Sequence, residues 1–354
     1  MGQFGIGQSV LREEDPRFLK GRGNYVNDVN LPLQTHCYII RSPHAHANIK
    51  RINISRALEA PGVIDIFIGS DVAADKLGTP GMAAKRKRPD GSDMWAPPQT
   101  PLALGKVRYV GDPIAMVIAE TLNEAKSSAE LVEIDFETLE SVTNTADTID
   151  PSSPSVWEEC PDNISNVFET GDADATEELF RNAAKVIQRR FVITRVHAQF
   201  LEPRGALGEY NQRNERFTLY ADVQYPHRVR QVLAEKIFKI PEQKIRVVAA
   251  DVGGGFGAKG WQYIEHRLVL WASKKIGRPV KWTCERSESI LADEHGRDNV
   301  TEAQLALDED NKFVALKVST LANVGAYVSS IRNLLSTFSN IGTLVGVYRI
   351  GEAH

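Results

Sequence analysis

The run Gly253-Gly-Gly-Phe-Gly-Ala-Lys-Gly260 constrains this chain more than any other feature. Glycine gives up more backbone freedom on folding than any other residue, so a run this dense marks backbone that must turn with positive φ or approach something closely. The mostly apolar stretch 245–252 before it reads as a strand, and 263–275 after it reads as a helix that stops at Gly277 and Pro279. A strand turning through glycines into a helix aims free N–H groups and the positive end of the helix dipole at one point, which suits a phosphate or an oxo group. Gly255, Gly257 and Gly260 also fit G-x-G-x-x-G, and Glu285 stands 25 residues beyond Gly260, near where a dinucleotide fold places its ribose acid. A nicotinamide-dependent dehydrogenase is therefore one reading of the run, and a tight structural turn is another. Against the first, the hundred residues that follow hold a hairpin and little helix, where a doubly wound domain continues in strand-helix units. The P-loop pattern does not apply, because Lys259 is flanked by Ala258 and Gly260.

Charge and composition narrow the partners. The 354 residues carry 42 Lys+Arg against 46 Asp+Glu, a formal charge of -4 that offers no field to gather nucleic acid or anionic lipid. With 42% apolar and 25% charged residues the chain reads as globular, of two or three domains. No apolar run reaches the ~18 residues of a membrane span, and the N-terminus lacks the regions of a secretion signal, so a cytoplasmic location is expected. Gly2 does not make a myristoylation site, since Ile6 stands where Ser or Thr is needed. Cys37, Cys160 and Cys284 are isolated from one another and read as buried reduced thiols with no CxxC pair for zinc or iron-sulfur.

The organisation is α+β. Residues 107–110 and 114–119 read as two strands broken at Gly111-Asp-Pro113, and Thr121 with Glu124 forms a capping box that starts a helix leading into a strand over 131–136, a β-α-β unit. Residues 78–101, with Lys85-Arg-Lys-Arg88, read as a solvated loop. The Ser-, Thr-, Asp- and Pro-rich stretch 144–160 marks a boundary, giving an extension over 1–17, a domain over 18–143, a linker over 144–165 and a second domain over 166–354. In the second domain the sequence predicts a helix over 174–184, strands over 186–194, 217–221 and 280–284, an amphipathic helix carrying Val229, Val232, Leu233 and Ile237, and a hairpin turning at residues 308–311.

Other candidates are weaker taken singly. Gln224 sits between a strand and a helix that starts after Pro226, where a neutral amide can donate to an oxo ligand or simply face solvent. Glu202-Pro-Arg204 reads as a turn with a surface ion pair. Six of the eight histidines, His44, His46, His197, His227, His266 and His295, show no zinc spacing, though a strand would put His44 and His46 on one face. No G-x-S-x-G elbow or Cys/His pairing supports nucleophilic catalysis.

Six segments in order, Phe18-Leu-Lys-Gly-Arg-Gly-Asn-Tyr25, Arg41-Ser-Pro-His-Ala-His46, Val107-Arg-Tyr-Val-Gly-Asp-Pro113, Glu202-Pro-Arg204, Gln224-Tyr-Pro-His227 and Gly253-Gly-Gly-Phe-Gly-Ala-Lys259, resemble molybdenum hydroxylase large subunits. This is the family of xanthine dehydrogenase, aldehyde oxidase and aerobic carbon monoxide dehydrogenase. The resemblance implies an α/β hammerhead domain over 18–143 followed by the first part of a mixed α/β molybdopterin-binding domain over 166–354. It implies that Gln224 and the Phe256 N–H, the catalytic candidates, contact the apical oxo ligand of molybdenum, with Gly254, Gly255 and Gly257 also lying against the pterin. The metal is then held by the pterin dithiolene and by no side chain of this chain, and the pterin is expected as its cytosine dinucleotide.

The implied reaction is hydroxylation of an aldehyde or N-heterocycle with water, or oxidation of carbon monoxide. Electrons would leave through 2Fe-2S and FAD centres on an iron-sulfur subunit and an FAD subunit, in a dimer of heterotrimers with no nucleic-acid partner. Purine oxidisers of the family carry Glu after the loop Lys, where this chain has Gly260. The general-base Glu is expected beyond residue 354, past the run carrying Gly342, Gly346 and Gly351, so that either a longer polypeptide or a medium subunit completes the site, the former being favoured. By itself the chain is expected to have no turnover. The rival readings are the dehydrogenase above and a non-catalytic scaffold homologue.

Overall fold

The structure, a computed structural model, describes residues 5, 7, 9–82, 86–328, 330, 334–335 and 343–354. Gly2, Ile6, Lys85 and Gly342 lie outside the described residues. The first part of the chain runs α1 (Asp15–Leu19), β1 (Thr35–Arg41), β2 (Ala47–Asn53), α2 (Ser55–Leu58), β3 (Val63–Ile68), α3 (Gly69–Ala74), β4 (Lys106–Val107), β5 (Pro113–Ala119), α4 (Leu122–Ala129) and β6 (Glu133–Thr138). After the 144–165 stretch come α5 (Ala173–Arg181), β7 (Lys185–Val196), β8 (Gly205–Asn211), β9 (Arg216–Ala221), α6 (Pro226–Val232), β10 (Ile245–Val248), α7 (Ile264–Ile276), β11 (Val280–Thr283), α8 (Arg286–Ala292), β12 (Gly296–Leu307), β13 (Phe313–Ala322) and β14 (Glu352–Ala353).

The central sheet has the order β10-β9-β8-β11-β1-β5-β3 and takes strands from both sides of the 144–165 stretch. The join is a parallel pairing of β1 with β11, Thr35↔Val280 through Cys37↔Trp282. Helix α7 covers this sheet with a wholly apolar central turn, Leu268, Val269, Leu270, Trp271 and Ala272 all buried, as a helix sealed on every side requires. It lies so close to β8 that a Cβ on Gly208 would stand 2.6 Å from Val269 backbone atoms, so only glycine fits. Gly277 ends α7 in the left-handed region at φ 71°, donating its N–H to Ser273 O. A second sheet, β14-β13-β12-β7, contains the predicted hairpin as β12 and β13, and a third joins β4, β2 and β6.

Several expectations change. Of the two strands expected around Gly111-Asp-Pro113, the first shrinks to β4, Lys106–Val107, which joins β2, while the second forms as β5 between β1 and β3. The β-α-β unit is likewise absent, since β5 and β6 belong to different sheets even though α4 has the predicted box, with Thr121 Oγ1 accepting from Glu124 N at 3.2 Å and Glu124 Oε2 from Thr121 N at 2.9 Å. The amphipathic helix continues past α6 as a π-helical turn, Leu233–Phe238, with Val229, Leu233 and Ile237 buried and Val232 only half-buried. His44 and His46 lie in the turn between β1 and β2, His44 edge-on to Phe136 and His46 Nδ1 bonded to Glu140 O. All three cysteines are free and buried.

Candidate functional site

Strand direction brings Gln224 and the glycine run together. Strands β9 and β10 are parallel neighbours, Phe217↔Ile245 through Tyr220↔Val248, so the segments leaving their C-terminal ends emerge side by side at one edge of the sheet. Gln224 follows β9 and is exposed, while 249–257 follow β10 as irregular backbone. The strand is therefore shorter than predicted, and the run reaches α7 through a 3-10 turn, Ala258–Gly260, instead of opening the helix.

Two bonds lock the pair: Gln224 N donates to Lys259 O at 2.9 Å, and Gly257 N donates to Gln224 Oε1 at 3.0 Å. The approach depends on glycine, since a Cβ at Gly255 would stand 2.8 Å from Gln224 Oε1. Gly254, Phe256 and Gly257 have φ of 95°, 47° and 88°. A bulky residue such as Phe256 rarely adopts this region, and its ring is 77% exposed, so no burial of the ring offsets the strain. The N–H groups of Gly254, Gly255 and Phe256 meet no protein acceptor among the described residues. Nor does Gln224 Nε2. Such a group of neutral donors is suited to an anion or an oxo group.

A buried charge cluster fixes the run from behind. Lys259, 1% exposed, places Nζ 2.5 Å from Asp222 Oδ2, 3.1 Å from Glu202 Oε2 and 2.8 Å from Glu202 O, above the Phe200 ring. Glu202 Oε2 also accepts from Gly253 N at 2.6 Å, so both ends of the run are tied to one carboxylate. Burial pushes the Asp222 carboxyl up to about 6 against the opposing pull of Lys259. Glu202 and Arg204 are thus no surface ion pair. Arg204 is fully buried, bonded to Asp293 Oδ1 at 2.5 Å and Glu265 Oε2 at 2.7 Å, with its guanidinium stacked on Tyr263. Glu265 also receives Arg41 at 2.7 Å; burial alone would raise its carboxyl, but the two arginines hold it well below the ordinary range. Burial and the nearby Arg204 push the His266 imidazole down to about 3.

The sequence candidates Gln224, Gly255, Phe256 and Gly257 are brought together, and Gly254 lies in the same run, where a Cβ added to it would stand 3.2 Å from the Phe256 ring. Sequence reading missed the Lys259, Asp222 and Glu202 cluster and the Arg204, Glu265, Arg41 and Asp293 network. The available signal was an acid two residues before Gln224 and a lone cation inside a glycine run. The nicotinamide reading fails on topology: the sheet is largely antiparallel, and Glu285 pairs with Lys126 of α4. No group of three or more His, Cys, Asp or Glu able to hold a metal occurs among the described residues. Neutral donors turned outward from glycine backbone fit an oxo or anionic group of a ligand.

Fold and site together define a two-part α+β scaffold with a glycine run that presents neutral hydrogen-bond donors beside Gln224. Residues 156–354 match the family model for a molybdopterin cofactor-binding domain, and residues 20–140 match that for the a/b hammerhead domain of aldehyde oxidase and xanthine dehydrogenase. The chain belongs to this molybdenum hydroxylase family, as a large-subunit sequence of hammerhead plus molybdopterin-binding domain. It is 34% identical to the nicotine 6-hydroxylase large subunit of Paenarthrobacter nicotinovorans over 91% of its length and 38% of that protein's. It is 32% identical to the carbon monoxide dehydrogenase large chain of Hydrogenophaga pseudoflava over 91% of its length and 40% of that protein's. The crystal structure of quinoline 2-oxidoreductase from Pseudomonas putida 86 superposes with a TM-score of 0.84 at 31% identity, covering 98% of this chain and 44% of that one. The chain thus spans about two fifths of the length of the curated relatives it matches. No helix among the described residues is long and apolar enough to cross a membrane.

Proposed function

We propose that this chain forms the glycine-loop side of the cofactor site in a molybdenum hydroxylase, with molybdopterin, as its cytosine dinucleotide, lying against residues 254–257. Gln224 and the Phe256 N–H are the catalytic contacts of this reading and would donate hydrogen bonds to an oxo group of the bound cofactor. The observation that carries this reading is the row of unpartnered N–H groups at Gly254, Gly255 and Phe256 beside the free Nε2 of an amide whose Oε1 is already tied to Gly257. The bound cofactor supplies two-electron chemistry: a substrate C–H bond is replaced by a C–O bond to water's oxygen, and two protons and two electrons leave; with carbon monoxide, water's oxygen adds to the carbon. The protein's share is positioning. Neutral donors hold an oxo group without altering the charge of the centre, and Lys259 fixes the spacing between them.

The wider assembly follows on the same footing. In the complex we propose, 2Fe-2S and FAD centres belong to an iron-sulfur subunit and an FAD subunit, in a cytoplasmic dimer of heterotrimers, as the family resemblance implies. The general-base Glu comes from beyond residue 354, on a continuation of this polypeptide or on a medium subunit. Substrates are an aldehyde, an N-heterocycle or carbon monoxide. The test is elemental molybdenum and released cytidine monophosphate in the complex purified from its native host. About one of each per chain is expected; absence of both in a complex that retains its partner subunits would overturn the reading in favour of a scaffold homologue. In the molybdenum-replete complex Gln224→Ala is expected to lower the rate at least ~10-fold, through loss of one donor to the reacting centre.

A further inference from the structure

Arg17 and the Phe18–Tyr25 segment that follows it meet the backbone leading into the glycine run. The meeting point is Asp251, two residues before Gly253. Arg17 Nη1 and Nη2 donate to its Oδ2 and Oδ1 at 2.5 and 2.7 Å, and Asn24 N donates to Oδ2 at 2.7 Å. Asp251 N donates back to Asn24 O at 3.2 Å. The backbone N–H and both carboxylate oxygens of Asp251 are thus bound by one segment of the chain. A two-pronged arginine-carboxylate pair fixes direction as well as distance. Its two donors, the Arg17 guanidinium first and the Asn24 N–H second, hold the Asp251 carboxyl down to about 2, so the tie stays ionised at neutral and mildly acid pH. The segment is braced in its turn: Arg17 Nη1 also donates to Arg22 O at 3.2 Å, its guanidinium lies 4.5 Å from the Phe18 ring centroid, and Phe18 stacks with Tyr25.

We infer that Arg17 and Asp251 are positioning residues that latch the entrance of the glycine run, so that the donors at Gly254, Gly255 and Phe256 face the cofactor in one orientation. The inference rests on the function proposed above and adds the N-terminal segment to its machinery. The bonds already described hold the run at Gly253, through Glu202, and at Gly257, through Gln224. They fix where the run lies, but with glycine at 253, 254 and 255 the backbone between them can still rotate. A third fixed point at residue 251 sets the direction in which the chain enters and removes that rotation. Packing does not supply this constraint. Between the segment and the C-terminal ends of β9 and β10 lies a cavity of about 130 Å³, bordered by Val26, Val29, Tyr220 and Val248, so apolar contact is interrupted there and the polar bonds at Asp251 carry the tie. Asp251 is 14% exposed, which shelters those bonds from water, while Arg17 reaches it from the half-exposed surface. Geometry matters here because a misplacement of about 1 Å in a positioning contact can cost ~100-fold in rate.

The experiment uses the complete complex, with its molybdenum content measured, and compares Arg17→Ala, Arg17→Lys and, as a control for lost stability alone, Thr121→Ala in the capping box of α4. Hydrogen exchange at the amides of residues 252–257, followed by mass spectrometry, is expected to speed up at least ~10-fold in Arg17→Ala. The electron paramagnetic resonance signal of the reduced molybdenum is expected to shift in the same variant. Arg17→Lys keeps the charge and one bond to Asp251, and is expected to recover at least part of both changes. Thr121→Ala is expected to alter neither. A molybdenum-replete complex in which Arg17→Ala leaves exchange and signal at their wild-type values, in which Arg17→Lys recovers nothing, or in which Thr121→Ala alters them equally, overturns the inference and leaves the proposed function standing. A complex without molybdenum in which Arg17→Ala still frees residues 252–257 overturns the proposed function and leaves the latch on the glycine run standing.

Discussion

Lys259 and Asp112 show how much a single buried charge can decide. Lys259→Met would strand Glu202 and Asp222 without their cation, a loss of about 3–5 kcal/mol when one member of a buried pair is removed. Asp222, already pushed to about 6, can recover part of this by taking a proton. The expected outcome is a marked drop in Tm for Lys259→Met and partial recovery in Lys259→Met/Asp222→Asn, read by thermal unfolding. Asp112 precedes β5 and accepts from Arg108 N; burial pushes its carboxyl from 3.8 up to about 7. Between those values the folded chain keeps a proton that the unfolded chain releases, so stability falls as pH rises through that window. Asp112→Asn is expected to flatten the fall of Tm between pH 4 and pH 7. Neither residue's role was legible beforehand. All four residues stand in the six ordered motifs, but the resemblance gives a role to Gln224 and Phe256 alone, and a Lys in a glycine run and an Asp before a proline look like ordinary surface residues until the tertiary structure buries them.

Elements whose signals are local came through the sequence well. The capping box of α4, the Gly277 stop of α7 and the Asp/Asn turn of the β12–β13 hairpin are each specified within a few residues, and each forms where it was predicted. Thr121→Ala removes one half of the box and is expected to cost about 1 kcal/mol, measurable as a shift in denaturant midpoint without change in m. Pairing partners are a different matter. Nothing in the alternation of residues 106–119 tells β4 to join β2 and β5 to join β1, because period-2 patterning fixes which face is buried and leaves the neighbour unspecified. The early end of β10 has a similar cause: Ala249, Ala250 and Val252 extend the apolar pattern of the strand, but the run they lead into must stand clear of the sheet to meet Gln224.

At the scale of the molecule, Arg41 is the tie. It leaves the end of β1, binds Glu265 of α7 and Glu288 of α8, and so joins the two matched regions through groups that are almost wholly buried. Arg41→Met is expected to cost about 3–5 kcal/mol by stranding those carboxylates. Because the two regions share one sheet, calorimetry should show the described core melting in a single transition that moves to lower temperature as a unit. Composition marks the 144–165 stretch as a break, yet a low-complexity break says nothing of hydrogen bonding across it, and the β1–β11 register has no local signature. That pairing also sets a schedule for synthesis. Strand β1 leaves the ribosome about 240 residues before β11, so at roughly 5–20 residues per second its open edge waits some 10–50 s for its partner. During that interval the nascent chain carries an unfinished sheet, and a chaperone that shields residues 35–41 until residue 283 has emerged would raise the yield of folded protein without touching the finished enzyme.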